Sequence, residues 1–536
     1  SGENLYTNKI DITNKIETSD NTEKSLKPQE ISTNTNTPRK KTAILAIWIL
    51  VLLVVSLTTG YLVFYKKGFN SKKARSLAIL PFRNMKKDAD TDFLSFSLAD
   101  AVINKLGYVD SLTLRPSSAI NKYRNQDDID SKKVASELHV NTLLLGSFQK
   151  EGDDLRITAQ LVDVDNDQVI WVDTLNVKYD KLLTVQSKVA NQIVKGLEIK
   201  LNPNEAEELK RNLTADPLAY EYCLRSVDLL ALSANNFPRA QEMLEKAVSI
   251  DRNYALAWAY LGLCYSSAAT AQYKGSEYYT KAQEAYDKAI DLDKDQIEAR
   301  LFRATLLTDT GHVEEAVNRL KKIIEKKPRL ASAYWELSYA YRYAGMLNES
   351  IIVGERAIDL DPSVMNRTFN SYFYNQEYQK FIDSLPALED SYFIFYRGFG
   401  FYYLKDFTKA KQEFDKAYKL NPDQLFAQVG KAFSLSIENK ANEGIALLKG
   451  SEKKIREGGV SDGEAIYKIA QAYAVLGDKA SALETLRLSI EKGFFCYPYF
   501  TRDELLNNIR SEKEFSDIME SAHKRHEDFK KRFSSF

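Results

Sequence analysis

The chain has 536 residues, 44% of them hydrophobic, which allows two or three domains with packed cores and excludes a wholly disordered protein. Its 74 Lys+Arg and 74 Asp+Glu cancel, so no overall field draws it to nucleic acid or an anionic surface. Cys223, Cys264 and Cys496 are too few and too far apart for a disulfide framework or a zinc site, and each reads as a small core residue in an apolar helical pattern.

Residues 1–41 are rich in Asn, Thr, Ser, Lys and Glu with few apolar anchors, which predicts a disordered tail. Residues 42–65, TAILAIWILVLLVVSLTTGYLVFY, carry no charge and predict one transmembrane helix, since about 1.5 Å per residue spans the ~30 Å hydrocarbon layer. A signal peptide would lie nearer the start and end in a small-residue cleavage site. Lys40 and Lys41 bound one end and Lys66 and Lys67 the other, so the positive-inside rule assigns no orientation.

Residues 76–200 predict a mixed α/β domain. SLAILPF (76–82) reads as a buried strand, and DFLSFSLADAVINKLG puts Phe93, Leu94, Leu98, Val102, Ile103 and Leu106 on one helical face. LTLRP is a second short strand and DSKKVASELHV a second helix. Three alternating runs then follow, separated by EGDD and DNDQ, which is turn chemistry and predicts an antiparallel meander. Tyr179 to Leu201 returns to helical spacing.

Residues 216–522 repeat with the 34-residue period of tetratricopeptide units, an all-α solenoid, and 523–536 reads as a basic C-terminal tail. In the unit from 331 to 364, Tyr334, Leu337 and Tyr341 are large where the frame needs bulk, and Ser338, Ser350 and Ala357 are small where paired helices approach. The same frame fits Gly398, Ala410, Phe414 and Ala417, and again Ala304, Gly311, Ala316 and Leu320. The unit holding Trp258 and Tyr286 has an inter-helix connection about eight residues longer than the frame. Residues 365–390 and 425–460 fit poorly and read as degenerate units.

No phosphate-binding loop, nucleophile elbow, zinc-protease helix or kinase glycine loop occurs, so no catalytic residue, metal or cofactor is expected. His139 reads as structural and His312 as a solvated turn residue. His523 and His526 share a face of a basic helix that would repel a cation. DVDNDQ lacks the spacing, central Gly and closing Glu of a calcium loop. The candidate functional surface is the concave face of the repeats. There the frame places Ser332, Trp335, Tyr339, Arg342 and Tyr343 from one unit, and Tyr392, Phe395, Phe399, Tyr402 and Tyr403 from another. Such aromatic side chains with an arginine offer large contact area at low rotamer cost, suited to an extended peptide or a partner helix. The competing reading has these side chains packing between neighbouring helices.

The run LAILPFRNM to DFLSFSLADAVINKL, then VASELHVNTLLLGSFQKEGDDLRITAQLVDVDNDQVIWVDTLNV, resembles the TolB amino-terminal-like domain, which is related to the FlgO-type domain. The closing SIEKGFFCYPYFTRDELLNNIRSEKEFSDIME resembles the last unit of the tetratricopeptide arrays that follow such domains in bacteria. The resemblance implies an array behind a membrane helix, as in receptor serine/threonine kinases, winged-helix regulators and adenylate cyclases. It also implies a bacterial inner-membrane protein with 76–536 in the periplasm and the N-terminus in the cytoplasm. The expected function is a non-enzymatic, membrane-anchored recruiting or sensing module with a protein or peptide in its repeat groove, the bilayer on residues 42–65, and no nucleic acid. The alternatives are the sensory half of a receptor kinase or cyclase whose catalytic domain precedes Ser1, and a cell-envelope assembly factor. The oligomeric state is left open.

Overall fold

The computed structural model describes residues 76–536 except 87, 125, 127, 234–235, 272–274, 363–367, 460–461 and 535–536. The expected tail (1–41) and membrane helix (42–65) lie outside the described residues. Among the described residues no helix is long and apolar enough to cross a membrane.

β1 (Ser76–Ile79) carries Leu77, Ala78 and Ile79 into the core and pairs in parallel with β3 (Thr113–Leu114) on one side and β4 (Thr142–Glu151) on the other. A buried strand between two parallel neighbours has no solvent face, which is why SLAILPF is apolar without alternation. The two-residue β2 (Arg83–Asn84) pairs further along β4. β4, β5 (Asp154–Asp163) and β6 (Gln168–Lys178) form the predicted meander, so the sheet order is β3-β1-β4-β5-β6. On β5, Leu155, Ile157, Ala159 and Leu161 are buried while Arg156 is exposed, the period-two pattern of a sheet covered on one face.

Helix α1 (Leu94–Leu106) buries the face predicted for it. It is followed by α2 (Ser117–Ile120) and by α3 (Ser131–Glu137), whose N-cap Asp130 accepts from the backbone nitrogens of Lys132 and Lys133. After the meander, a 3₁₀ turn over Tyr179–Thr184 leads into α4 (Val185–Gly196), then α5 (Pro203–Lys210), opened by an Asn202–Glu205 capping box.

The rest is helical. The pairs are α6 (Pro217–Leu232) with α7 (Phe237–Ile250), α8 (Ala255–Ala271) with α9 (Ser276–Leu292), and α10 (Ile297–Asp309) with α11 (Val313–Lys326). They continue as α12 (Ala331–Tyr343) with α13 (Leu347–Leu360), α14 (Phe369–Tyr374) with α15 (Tyr378–Asp383), and α16 (Ser391–Tyr403) with α17 (Phe407–Leu420). The last are α18 (Leu425–Ile437) with α19 (Ala441–Glu457) and α20 (Gly463–Leu476) with α21 (Lys479–Glu491), before the short α22 (Tyr497–Phe500) and a long α23 (Lys513–Phe533).

Three expectations change. The extra length in the second unit extends both helices to 17 residues each instead of forming a long connection. The stretch 425–460 is a regular pair: Ala432, Gly444 and Ser451 supply the small residues, and Gln428 fills a position that is usually apolar by accepting from the Ser451 hydroxyl at 2.6 Å. The stretch from 523 is no tail; it continues α23, whose Ala522, His526, Phe529 and Phe533 are buried. The unit at 365–390 is short, its two helices having six residues each.

The α/β domain and the array are stitched together. One apolar core runs from Leu77 in β1 to Cys264 in α8, and a second from Leu301 in α10 to Phe533. Polar links also join the α/β domain to repeats of the second core: Lys327, just after α11, pairs with Asp110 at 3.0 Å, and Asp361, just after α13, pairs with Arg115 at 3.0 Å, with both side chains of this last pair buried.

Candidate functional site

Tyr339, Arg342 and Tyr343 project from α12 onto other parts of the chain: Asp309, Glu464, and Asp462 with Phe494. Arg342 is buried and donates through Nη2 to Glu464 Oε2 at 2.7 Å, and the other oxygen of Glu464 accepts from Tyr374 at 2.8 Å. Both sides of this pair are desolvated and hydrogen-bonded, the condition under which a buried ion pair is tolerated. Tyr343 packs edge-on against Phe494, with ring centroids 5.2 Å apart.

The Tyr339 and Tyr343 hydroxyls lie 3.0 Å apart. Tyr339 is 2.6 Å from Asp309 Oδ1, and Tyr343 donates to Asp462 Oδ1 at 2.6 Å. Three hydrogen bonds in a row need three protons, and two tyrosines bring two. The third sits on one of the two carboxyls at the ends of the row. Burial, and then the negative charge of Asp462, hold the Asp309 carboxyl well above the usual carboxylate range, and burial with the charge of Glu464 raises Asp462 as well. Asp462 also caps α20, accepting from the Ala465 nitrogen at 3.1 Å.

The second predicted cluster divides. Tyr403 donates to Asp503 Oδ1 at 2.8 Å and accepts from the Tyr499 hydroxyl at 2.8 Å. The other oxygen of Asp503 accepts from Tyr467 and from Gln471, both at 2.6 Å. Phe399 stacks on Phe373 at 5.1 Å. Tyr392, Phe395 and Tyr402 instead meet the following unit: Tyr392 and Phe395 touch Phe426 at 5.2 and 5.5 Å, and Tyr402 touches Phe433 at 5.1 Å. Trp335 is buried in the same apolar core.

Lys468 lies at the centre, fully buried, and among the described residues its Nζ has no hydrogen-bond partner. The ammonium position is 4.6 Å from the Phe373 and Tyr374 ring centres and 4.5 Å from that of Phe399. Burial pushes its pKa down to about 7, against the opposing pull of Glu464 and Asp503.

Asp309, Asp462, Glu464, Lys468, Gln471 and Asp503 were thus missed as concave-face residues. The one available signal was Lys468 and Gln471, polar residues inside the apolar run AIYKIAQAYAVL. His526 is buried, with Nδ1 2.7 Å from the Ala344 carbonyl oxygen, and all three cysteines are free and buried. Among the described residues no group of three or more His, Cys, Asp or Glu is placed to hold a metal ion.

Residues 72–194 match the family described as HilA/YgeH-like transcriptional regulator, second domain. Tetratricopeptide repeat families match at 276–338, 331–364 and 401–424, so the helical part is a tetratricopeptide array. The chain is 28% identical over 244 residues to a putative adenylate cyclase 3 of Rhizobium meliloti (strain 1021), covering 45% of this chain and 41% of that one. It is 27% identical over 220 residues to a Mus musculus aspartyl/asparaginyl beta-hydroxylase, covering 37% of this chain and 29% of the relative. The chain therefore spans less than half the length of these relatives. Among solved structures, the anaphase-promoting complex hetero-tetramer Cut9–Hcn1 is similar at 12% identity and a TM-score of 0.35, covering 64% of this chain and 85% of that one.

Proposed function

We propose that the chain is a non-catalytic module that recruits or senses a protein partner through the concave face of its repeats. The observation that carries this reading is the set of contacts the face already makes. Arg342, Tyr343 and Tyr403 hold carboxylates and an aromatic ring of 462–503 as they would hold an acidic, aromatic peptide. A partner reaches these residues by displacing the C-terminal unit, so its recognition segment is one that imitates FFCYPYFTRDEL (494–505). In this reading residues 42–65 anchor the module in a bacterial inner membrane and 76–536 face the periplasm.

The test is a labelled peptide of that sequence, titrated into the full chain. Saturable binding that disappears in Tyr343→Ala/Tyr403→Ala, the two residues that touch this segment through Phe494 and Asp503, with helical circular dichroism retained, supports recruitment. Absence of binding, or loss of helical content in the variant, supports a purely structural face.

A second reading, the sensory half of a larger signalling protein, is favoured by the similarity to a putative adenylate cyclase across 45% of this chain. The regulator family matched at 72–194 points the same way.

A further inference from the structure

We propose that residues 494–505 form a strap across the repeats, and that its opening is favoured as falling pH protonates Lys468. This regulation rests on the partner-capture reading, because the strap contributes the ring on Tyr343 and the carboxylate on Tyr403 that a partner would replace.

The strap leaves α21 at Gly493 and packs on α12, α14 and α20. The Phe495 nitrogen donates to the Tyr343 carbonyl at 3.0 Å. The Phe494 ring meets those of Tyr343 and Tyr374 at 5.2 and 5.4 Å, and Phe500 stacks on Tyr467 at 4.7 Å. Tyr499 lies 4.8 Å from Tyr374 and 5.8 Å from Phe373. The rings of Phe373 and Tyr374 therefore border both the strap and the Lys468 Nζ, which is 4.6 Å from each.

An ammonium brings three donors and needs oxygens, and this pocket offers rings. Among the described residues Lys468 Nζ has no hydrogen-bond partner, and aromatic faces replace only part of the hydration lost on burial. Burial lowers its pKa to about 7, with Glu464 and Asp503 pulling the other way and Arg342 of α12 reinforcing the fall. Glu464 is committed to Arg342 and Tyr374, and Asp503 to Tyr403, Tyr467 and Gln471. The other groups around the amine stay neutral. Burial holds the phenols of Tyr374, Tyr403, Tyr467 and Tyr499 well above their ordinary range, and pushes the Cys496 thiol of the strap up to about 12.

With the strap off and water at the amine, Lys468 returns toward its ordinary 10.5. Opening then takes up one proton between pH 7 and 10.5, so it is favoured as pH falls through that window and levels off below it. The proton shared by Asp309 and Asp462, beyond Tyr343, acts in the opposite sense, and a Lys468 variant separates the two.

Cys496, free and buried in the strap, reports its opening, while Cys223 and Cys264, free and buried in the first core, report wider unfolding. The full chain is alkylated with N-ethylmaleimide between about pH 6 and 9 and each cysteine is followed by mass spectrometry. Dividing the Cys496 rate by that of the peptide FFCYPYFTRDEL at the same pH removes the ionisation of the thiol itself. The relative rate is expected to rise by up to about tenfold per unit from pH 9 to 7 and to level below 7. It is expected to change little in low urea, since a local opening exposes little surface. Lys468→Met is expected to abolish the rise. A flat wild-type profile overturns the proposal, as does a slope that persists in Lys468→Met. Labelling of Cys496 that climbs steeply with urea, or in step with Cys223, overturns it too. No partner enters this readout, so its failure is distinguishable from a failure of peptide binding.

Discussion

Asp100 and Lys468 are both buried, and they titrate in opposite senses. Burial, with Glu298 adding to it, pushes the Asp100 carboxyl up to about 7, although hydrogen bonds from Ser117 and Asn104 oppose the shift. Between its ordinary value of about 4 and pH 7 the folded chain therefore holds a proton that the unfolded chain releases, and stability falls as pH rises through that window. Lys468 is depressed to about 7, so between pH 7 and its ordinary 10.5 the unfolded chain holds the extra proton, and stability rises with pH. Together these two residues place a stability minimum near pH 7. In thermal melts from pH 4.5 to 10, Asp100→Asn is expected to flatten the acidic limb and Lys468→Met the alkaline limb. An alkaline limb unchanged by Lys468→Met would refute the assignment.

At the scale of elements, the helix-pair turns and the segment after α21 cross at close backbone distance. Gly493, just beyond α21, has φ 100°, and a Cβ there would lie 2.3 Å from the Cα of Gly311 in the α10–α11 turn. Gly493→Ala meets both penalties, a left-handed backbone and a backbone clash that no rotamer relieves. It is expected to cost about 1–3 kcal/mol in denaturant melts and to expose α23 to proteolysis. Gly450 inside α19 is the control: a Cβ there meets nothing within 4 Å, so Gly450→Ala is expected to stabilise by about 0.5–1 kcal/mol.

These same elements show how far the sequence was legible. The helix pairs and the meander were readable because small-and-large spacing and period-two alternation are local patterns. The pair at 425–457 was obscured because a Gln428–Ser451 hydrogen bond stands where the frame expects apolar packing. What fills the concave face was not readable. Arg342–Glu464 and Tyr403–Asp503 join residues 122 and 100 positions apart, and no periodicity encodes such contacts. Tyr343, Phe399 and Tyr403 do face across the array, Tyr392, Phe395 and Tyr402 pack on the next unit, and the carboxylate partners had no sequence signal.

At the scale of the whole molecule, the boundaries of cooperativity differ from those of the domains. The sequence divides after residue 200, where the α/β pattern ends, yet the first core continues through α6 and α7 into α8, ending at Cys264. The second begins at Leu301 and runs to the C-terminus, closed by α23. Between them lie only small clusters, one of Ala259, Ala289 and Ala299 and another around Tyr279 and Tyr286. Cooperative units follow continuous cores, so the first repeat pair should open with the sheet and not with the other repeats. In native-state hydrogen exchange, amides of α6 and α7 are expected to share the opening free energy of β4 and β5, and those of α12, α16 and α20 to share another, with α9 exchanging more readily than either. Opening of α6 and α7 together with α12 would instead make the array one unit, with the α/β domain an appendage.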